Sequence, residues 1–205
     1  MPRLALARDA LPYLGGFAAA ALLSLPWWPA LAGVFFLLFL FIAFFFRDPH
    51  REHGGEAHVV LSPADGRVVQ IREEGEWRAL SIFLSVLDVH VNRAPVGGRV
   101  TSVEYRSGRF QAAFRHGASS ENERNVVTIE SDLGSVTAIQ IAGLLARRIV
   151  CTAREGDRLE AGERIGLIKF GSRMDVLVPR SVDWTVEVGA RVRAGVTVIG
   201  RRASI

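Results

Sequence analysis

Two unbroken apolar runs open the chain, Ala10 to Ser24 and Ala30 to Phe46 ("ALAGVFFLLFLFIAFFF"). Neither has a polar face, as the helix of a soluble core would. Each is at or just under the roughly 17–25 residues that span a bilayer. Between them "LPWWPA" sets Trp27 and Trp28 between Pro26 and Pro29. Prolines break helices and tryptophans favour the boundary between hydrocarbon and water, so this pattern predicts an apolar helical hairpin that turns at the Trp pair. From residue 58 onward the pattern changes. Short segments alternate or run apolar between Gly, Asp and Pro signals, which predicts strands. "SVDWTVEVG" (181–189) alternates throughout, with Val182, Trp184, Val186 and Val188 on one face. "GRVTSVEY", "NVVTIES", "SVTAIQIAG" and "RRIVCTA" are similar candidates. Many short strands at close spacing point to a mainly β, barrel- or sandwich-like domain.

Charge sharpens this division. Arg3 and Arg8 precede the apolar pair, and Arg47 and Arg51 follow it, so both outer ends are expected on the cytoplasmic side. A signal peptide cut after "ALA" (30–32) is the competing reading. It would leave a mature chain starting "GVFFLLFLFIAFFF", so a retained anchor is preferred. The expected organisation is a membrane-anchoring hairpin over 1–46, a juxtamembrane linker over 47–58 and a β domain over 59–205. Inside that domain "EGDRLEAGERIG" (155–166) echoes "VGARVRAGVTVIG" (188–200), which predicts two pseudo-symmetric hairpins.

Composition then removes several chemistries. Cys151 is the single cysteine, so there is no internal disulfide framework and no cysteine-built metal site. The five histidines (50, 53, 58, 90 and 116) are scattered without ligand spacing, and no metal is expected. Lys169 is the only lysine in a chain of net charge +4, so any Schiff base on a lysine, including one to pyridoxal phosphate, would have to use it. Arginine forks suit phosphate and carboxylate, which fits an acidic partner or an anionic membrane surface.

Three stretches combine reactive groups with turn residues. "LSPADGRVV" (61–69) places Asp65 in an Asp-Gly turn. "LSVLDVHVNRAPVGGRV" (84–100) gathers Asp88, His90, Asn92 and Arg93 at a strand end, and in an extended chain the first three share a face. A histidine in that company suits general acid or base work. "IGLIKFGSRMDVLVP" (165–179) is a strand-like run broken by Gly171-Ser172. On its own this step reads as a bulge as readily as a reactive site, because neither G-x-S-x-G nor S-x-x-K surrounds Ser172.

Together, "PADG", "LDVHVNRAP", "NER" (122–124) and "IGLIKFGSRMDVLVP", preceded by "FFRDP", resemble the phosphatidylserine decarboxylase family, most of all its short membrane-anchored prokaryotic branch. The resemblance runs from residue 45 to the C-terminus, and four separated motifs keep the family's order. It implies a proenzyme that cuts itself between Gly171 and Ser172. The Ser172 hydroxyl attacks the preceding carbonyl to give an ester. Elimination and hydrolysis then turn Ser172 into a pyruvoyl group with loss of ammonia. The two products, residues 1–171 and 172–205, would stay associated. The pyruvoyl group would take the amine of phosphatidylserine and accept the electrons left by CO2, releasing phosphatidylethanolamine without metal or pyridoxal phosphate. Asp65 and His90 match family positions for self-cleavage and decarboxylation. The family's second histidine is replaced here by Arg93. Arg93 and Arg124 are candidates for the headgroup's phosphate or carboxylate, and His116 is a further candidate base. The implied partners are phosphatidylserine and membrane lipid, with no nucleic acid, and the implied location is the inner membrane with the β domain on its cytoplasmic side. A homo-oligomer is compatible with the sequence. The alternatives are an uncut membrane-tethered β module that binds or carries, and a tethered peptidoglycan hydrolase, which lacks its metal ligands.

Overall fold

The computed structural model describes residues 4–52, 54–109, 122–143, 148–169 and 172–203. The chain folds as two compact units, Met1–His50 and Arg51–Ile205. In the first, β1 (Leu4–Leu6) pairs antiparallel with β2 (Arg47–Pro49). Between them run α1 (Leu11–Ser24) and α2 (Pro29–Phe45), which pack against each other. Both helices carry a proline in the first turn, where its missing N–H costs nothing. Ser24 Oγ folds back to the Ala20 carbonyl at 2.7 Å, and the Arg47 guanidinium donates to the Phe44 carbonyl at 2.7 Å. Carbonyls at two apolar helix ends are thus satisfied from within. At 14 and 17 residues the helices are about 21 and 26 Å long, against about 30 Å for a hydrocarbon core. No helix among the described residues is long and apolar enough to cross a membrane.

The second unit is almost entirely strand: β3 (Val59–Leu61), β4 (Gly66–Glu74), β5 (Trp77–Leu84), β6 (Val91–Arg93), β7 (Gly98–Arg106), β8 (Arg124–Ser131), β9 (Gly134–Ile141), β10 (Ile149–Cys151), β11 (Arg158–Leu159), β12 (Arg164–Ile168), β13 (Ser172–Pro179), β14 (Val182–Trp184), β15 (Arg191–Val192) and β16 (Val198–Arg202). An eight-stranded antiparallel sheet, ordered β11-β7-β8-β9-β13-β5-β4-β15, curls as a half-barrel. Two three-stranded sheets, β10-β12-β6 and β14-β16-β3, complete the unit. Leu80, Ile82 and Leu84, Val127 and Ile129, Val136 and Ala138, and Met174, Val176 and Val178 line its buried interior. The domain is mainly β, as its alternating segments predict.

Two expected strands differ from observation. The alternating run 181–189 is a strand only at Val182–Trp184, and Val188 is 60% exposed. Gly189, at φ +96°, belongs to a turn whose amide bonds back to the Val68 carbonyl at 2.8 Å, so the chain leaves the ladder early. The run 165–179 is two strands in two different sheets, β12 and β13. The Gly-Ser step is therefore not a bulge inside a strand; it lies where the chain passes between sheets.

The predicted hairpin echo belongs to a larger internal repeat. His58–Val68 ("HVVLSPADGRV") and His90–Val100 ("HVNRAPVGGRV") share six of eleven residues. Their backbones exchange bonds reciprocally: Leu61 N–H to Pro95 C=O at 2.8 Å, and Arg93 N–H to Pro63 C=O at 2.9 Å. Gly195 N–H reaches Ser62 C=O, and Gly162 N–H reaches Ala94 C=O, both at 2.8 Å. Bulges fall at matching places, Val68/Gln70 and Val100/Ser102. The large sheet is thus two four-stranded halves related by an approximate two-fold axis between β9 and β13. The shared glycines serve close approach of neighbouring strands. A Cβ on Gly66 would lie 2.1 Å from the Phe83 carbonyl oxygen, and one on Gly98 would lie 2.1 Å from that of Glu130. Gly66 also has φ +148°. Gly66→Ala is expected to cost about 2–3 kcal/mol, read as a lower urea midpoint.

Candidate functional site

Ser172 is the first residue of β13, the strand that lies centrally between β9 and β5. Alternation sends Ser172, Met174, Val176 and Val178 to the interior face, since the last three belong to the core. Ser172 is fully buried, and its Oγ has no hydrogen-bond partner among the described residues. Burying a hydroxyl without a partner costs about 1–3 kcal/mol, so a satisfied alternative is expected at some stage of the protein's life.

His90 reaches the same end of the interior. Ser172 stands opposite Leu84, the last residue of β5, and the chain returns from Leu84 through Ser85 and Asp88 to His90. From the other side, Ile168, which ends β12, donates its N–H to the His90 carbonyl at 3.3 Å. The ring is buried, and its Nδ1 lies 2.9 Å from the Asp88 carbonyl. A carbonyl only accepts, so Nδ1 carries the proton and Nε2 is the basic nitrogen. Asp88 shapes this return rather than reacting: its Oδ2 accepts the Ser85 N–H at 2.8 Å and the Ser85 hydroxyl at 2.7 Å.

Asp65 is placed differently from His90. Arg51 grips both of its carboxylate oxygens, with the Nη2–Oδ2 bond at 2.8 Å, and the Ala194 N–H donates to Oδ1 at 2.8 Å. Arg51 Nη1 also donates to the Ala194 carbonyl at 2.8 Å, so a carboxylate and a turn are closed around one guanidinium. Residue 51, expected in a linker, is part of the β unit. Asp65 stands just before β4, the neighbour of β5 on the side away from β13, and its carboxylate is taken by Arg51 rather than by the imidazole. Arg93 donates to the Gly162 carbonyl at 3.0 Å, with its stem against Gly195, and so braces the two echoed hairpins. Arg124 opens β8 opposite Ile141, which in turn faces Arg173. That row of side chains leaves the sheet on the face opposite Ser172. Gly171, the other half of the candidate scissile bond, and His116 and His53 lie outside the described residues.

On that opposite face Arg173 and Asp175 form a buried pair, with Nε–Oδ1 at 2.6 Å. Arg173 Nη2 donates to Ser81 Oγ at 2.6 Å, and Arg72 approaches Asp175 at 3.5 Å. Three neighbouring strands are thereby tied together one residue beyond Ser172.

In a second buried polar group, sequence reasoning singles out Asn92 but not its partners Asn125 and Gln140. Asn125 Nδ2 donates to Gln140 Oε1 at 3.2 Å, and Gln140 Nε2 donates to Asn92 Oδ1 at 2.9 Å. All three residues are buried, and Asn92 Nδ2 has no hydrogen-bond partner among the described residues. The signal that finds it is the internal repeat. Val60 occupies the place of Asn92, Gly97 that of Asp65, and the exposed His58 that of His90. Strand registers likewise put Gly134 in the place of Ser172 and Val178 in that of Gln140. The chemistry is divided between the halves: Ser172 begins β13 in one, and the buried imidazole just before β6 and the amide chain of β6, β8 and β9 belong to the other. Cys151 is a neighbour of Asn125, and burial pushes its thiol upward, keeping it protonated. Among the described residues no group of three His, Cys, Asp or Glu side chains is placed to hold a metal.

Comparison with known proteins places the chain in a family. The family model for phosphatidylserine decarboxylase matches residues 38–200. A phosphatidylserine decarboxylase proenzyme of Solibacter usitatus is 51% identical over 185 residues, covering 90% of each chain. One of Solidesulfovibrio magneticus is 46% identical over 98% of each chain. One of Symbiobacterium thermophilum is 47% identical over 98% of this chain and 97% of its own.

Proposed function

Since the chain belongs to the phosphatidylserine decarboxylase family, we propose that it is made as a proenzyme, cuts itself before Ser172 and then converts phosphatidylserine to phosphatidylethanolamine. The observation that carries this reading is the buried hydroxyl of Ser172, without a hydrogen-bond partner among the described residues, at the junction of two sheets and at the end of the interior where His90 holds a basic Nε2.

The residues divide the work as follows. His90 Nε2 takes the hydroxyl proton as the oxygen attacks, and the Asp88 carbonyl keeps the ring in the tautomer that can do so. Arg51 and Asp65 hold the turn at Ala194, which supports the neighbouring strand ends; in this role Asp65 acts through the backbone. The interior at Ser172 suits a pyruvoyl group, because Met174 and Leu84 exclude water around a position that a small planar carbonyl fills. That group supplies a carbonyl for the substrate's amine and a sink for the electrons CO2 leaves behind. After decarboxylation His90 is the buried acid that returns a proton to carbon. The fragment 172–205 stays in place because β13 is laddered on both sides by strands of the other fragment, and β15 and β16 pair with β4 and β3.

The same reading seats the first unit in the cytoplasmic leaflet of the inner membrane, entering it without crossing. Its support is an apolar helix pair with Leu22 71% and Trp27 76% exposed, flanked by Arg8 and Arg47. A lipid substrate is thereby presented at headgroup depth.

Denaturing electrophoresis with intact-mass analysis tests the proposal. Two chains are expected, 1–171 and 172–205, the shorter without a free amino terminus and reactive toward carbonyl reagents. A single uncut chain in an active preparation sinks it.

A further inference from the structure

We propose that Asn92 is a catalytic residue of the self-cleavage step, donating from Nδ2 to the oxyanion that forms on the carbonyl bonded to the Ser172 nitrogen. The inference rests on self-cleavage before Ser172. Three observations carry it.

The first is orientation. The amide chain Asn125, Gln140, Asn92 runs in one hydrogen-bonding direction, and Gln140 Nε2 fixes which end of the Asn92 amide is oxygen. What remains at the open end is a donor, fully buried and without a hydrogen-bond partner among the described residues. A donor in an apolar interior is satisfied by a carbonyl or an anion and by nothing else the core offers.

The second is place. Met174 faces Gln140 across the β13–β9 ladder, so Ser172 is the diagonal neighbour of Gln140 on the same interior face, about 7 Å away. Asn92 follows His90 by two residues, and its neighbour Val91 pairs with Leu167, one residue before the end of β12. Backbone donors on the approach to the junction are already used: Ile168 N–H by the His90 carbonyl and Lys169 N–H by the Arg148 carbonyl, both at 3.3 Å. Among the described residues, an oxyanion formed here is left with side-chain donors.

The third is the internal comparison. At the place the two-fold relates to this one, Val60 and Val178 stand where Asn92 and Gln140 stand, and both are fully buried in the core. Folding therefore accepts an apolar pair at this position, and the amides serve something other than the fold.

The step balances as follows. Ser172 Oγ bonds to the carbonyl carbon, its proton passes to His90 Nε2, and the carbonyl π pair moves to oxygen as the oxyanion that Asn92 binds. Collapse restores the carbonyl, breaks the bond to the Ser172 nitrogen and returns the proton to that nitrogen, leaving an ester.

The test is the rate at which newly translated, detergent-solubilised precursor disappears on a denaturing gel. Asn92→Val and Asn92→Asp are compared with wild type, and folding is checked by circular dichroism and melting against uncut Ser172→Ala protein. Both variants are expected to fold and to cleave at least about 100-fold more slowly, the usual loss for one oxyanion donor. Asn92→Asp keeps the size of the side chain and the acceptor for Gln140, and it decides the matter if Asn92→Val is insoluble. Cleavage of either folded variant at the wild-type rate overturns the assignment, as does failure of both to fold. A wild-type chain that is never cut overturns the self-cleavage reading instead, whatever the variants do.

Discussion

Replacing Ser172 by alanine is expected to leave a single uncut chain with no decarboxylase activity and an unchanged fold. The loss should be total rather than graded, because in the proposed reaction one residue, Ser172, supplies both the attacking hydroxyl and the carbon skeleton of the electron sink. No neighbour substitutes for it: beside His90 and the amides of Asn92 and Gln140, the described interior at that end offers Met174, Leu84 and Ala142. Stability should hold or rise, since the hydroxyl removed is buried without a partner and its loss leaves only a small void. Gel mobility, mass and the melting curve check the three parts separately. Partial cleavage or residual turnover in a clean Ser172→Ala preparation would refute the assignment.

The largest effect on stability is expected at Asp175. Arg173 is 1% exposed and Asp175 0%, and they meet across a sheet face with Ser81, Gln70 and Arg72 completing the hydrogen bonding. Asp175→Ala strips the carboxylate from Arg173 and leaves a guanidinium in the interior, at a cost of about 3–5 kcal/mol. The double substitution Arg173→Met with Asp175→Leu removes both charges and should recover most of that loss. Urea unfolding in the Ser172→Ala background, where one chain unfolds, measures both. Equal stability of the single and double variants would show that the pair is not desolvated as its geometry requires. The pair also bears on catalysis. After the cut, Arg173 is the second residue of the short chain, and its fork to Asp175 and Ser81 keeps a new chain end from fraying.

The sequence made β7, β8 and β9 legible because each alternates cleanly between turn residues and each has both neighbours in the same sheet. The same signal misled at 181–189. A run with perfect alternation still needs a partner strand, and beyond Trp184 the turn at Gly189 takes the backbone elsewhere. Ser172 and His90 were legible as residue types in an ordered set of motifs, but their placement at one end of the interior depends on the register of β13 against β5 and of β12 against β6, which no local pattern specifies. Arg51 was hidden because its partner Asp65 lies across a composition boundary. Asn92 was in view as a neighbour of His90, but its meaning required the eleven-residue repeat, which sets Val60 in the same place.

The position of β13 has a consequence for how the enzyme lives and dies. Before the cut, unfolding and refolding belong to one molecule, and the strand finds its place at the effective concentration of a tethered segment. After the proposed cut, the middle strand of the sheet would belong to a separate 34-residue peptide, from 172 to 205. Unfolding then becomes a dissociation, and recovery a bimolecular search by a peptide too short to hold a core of its own. The mature enzyme is accordingly expected to be protected by its barrier to opening rather than by a reversible equilibrium: a molecule folded once, as a precursor, and not re-formed from its parts at cellular dilution.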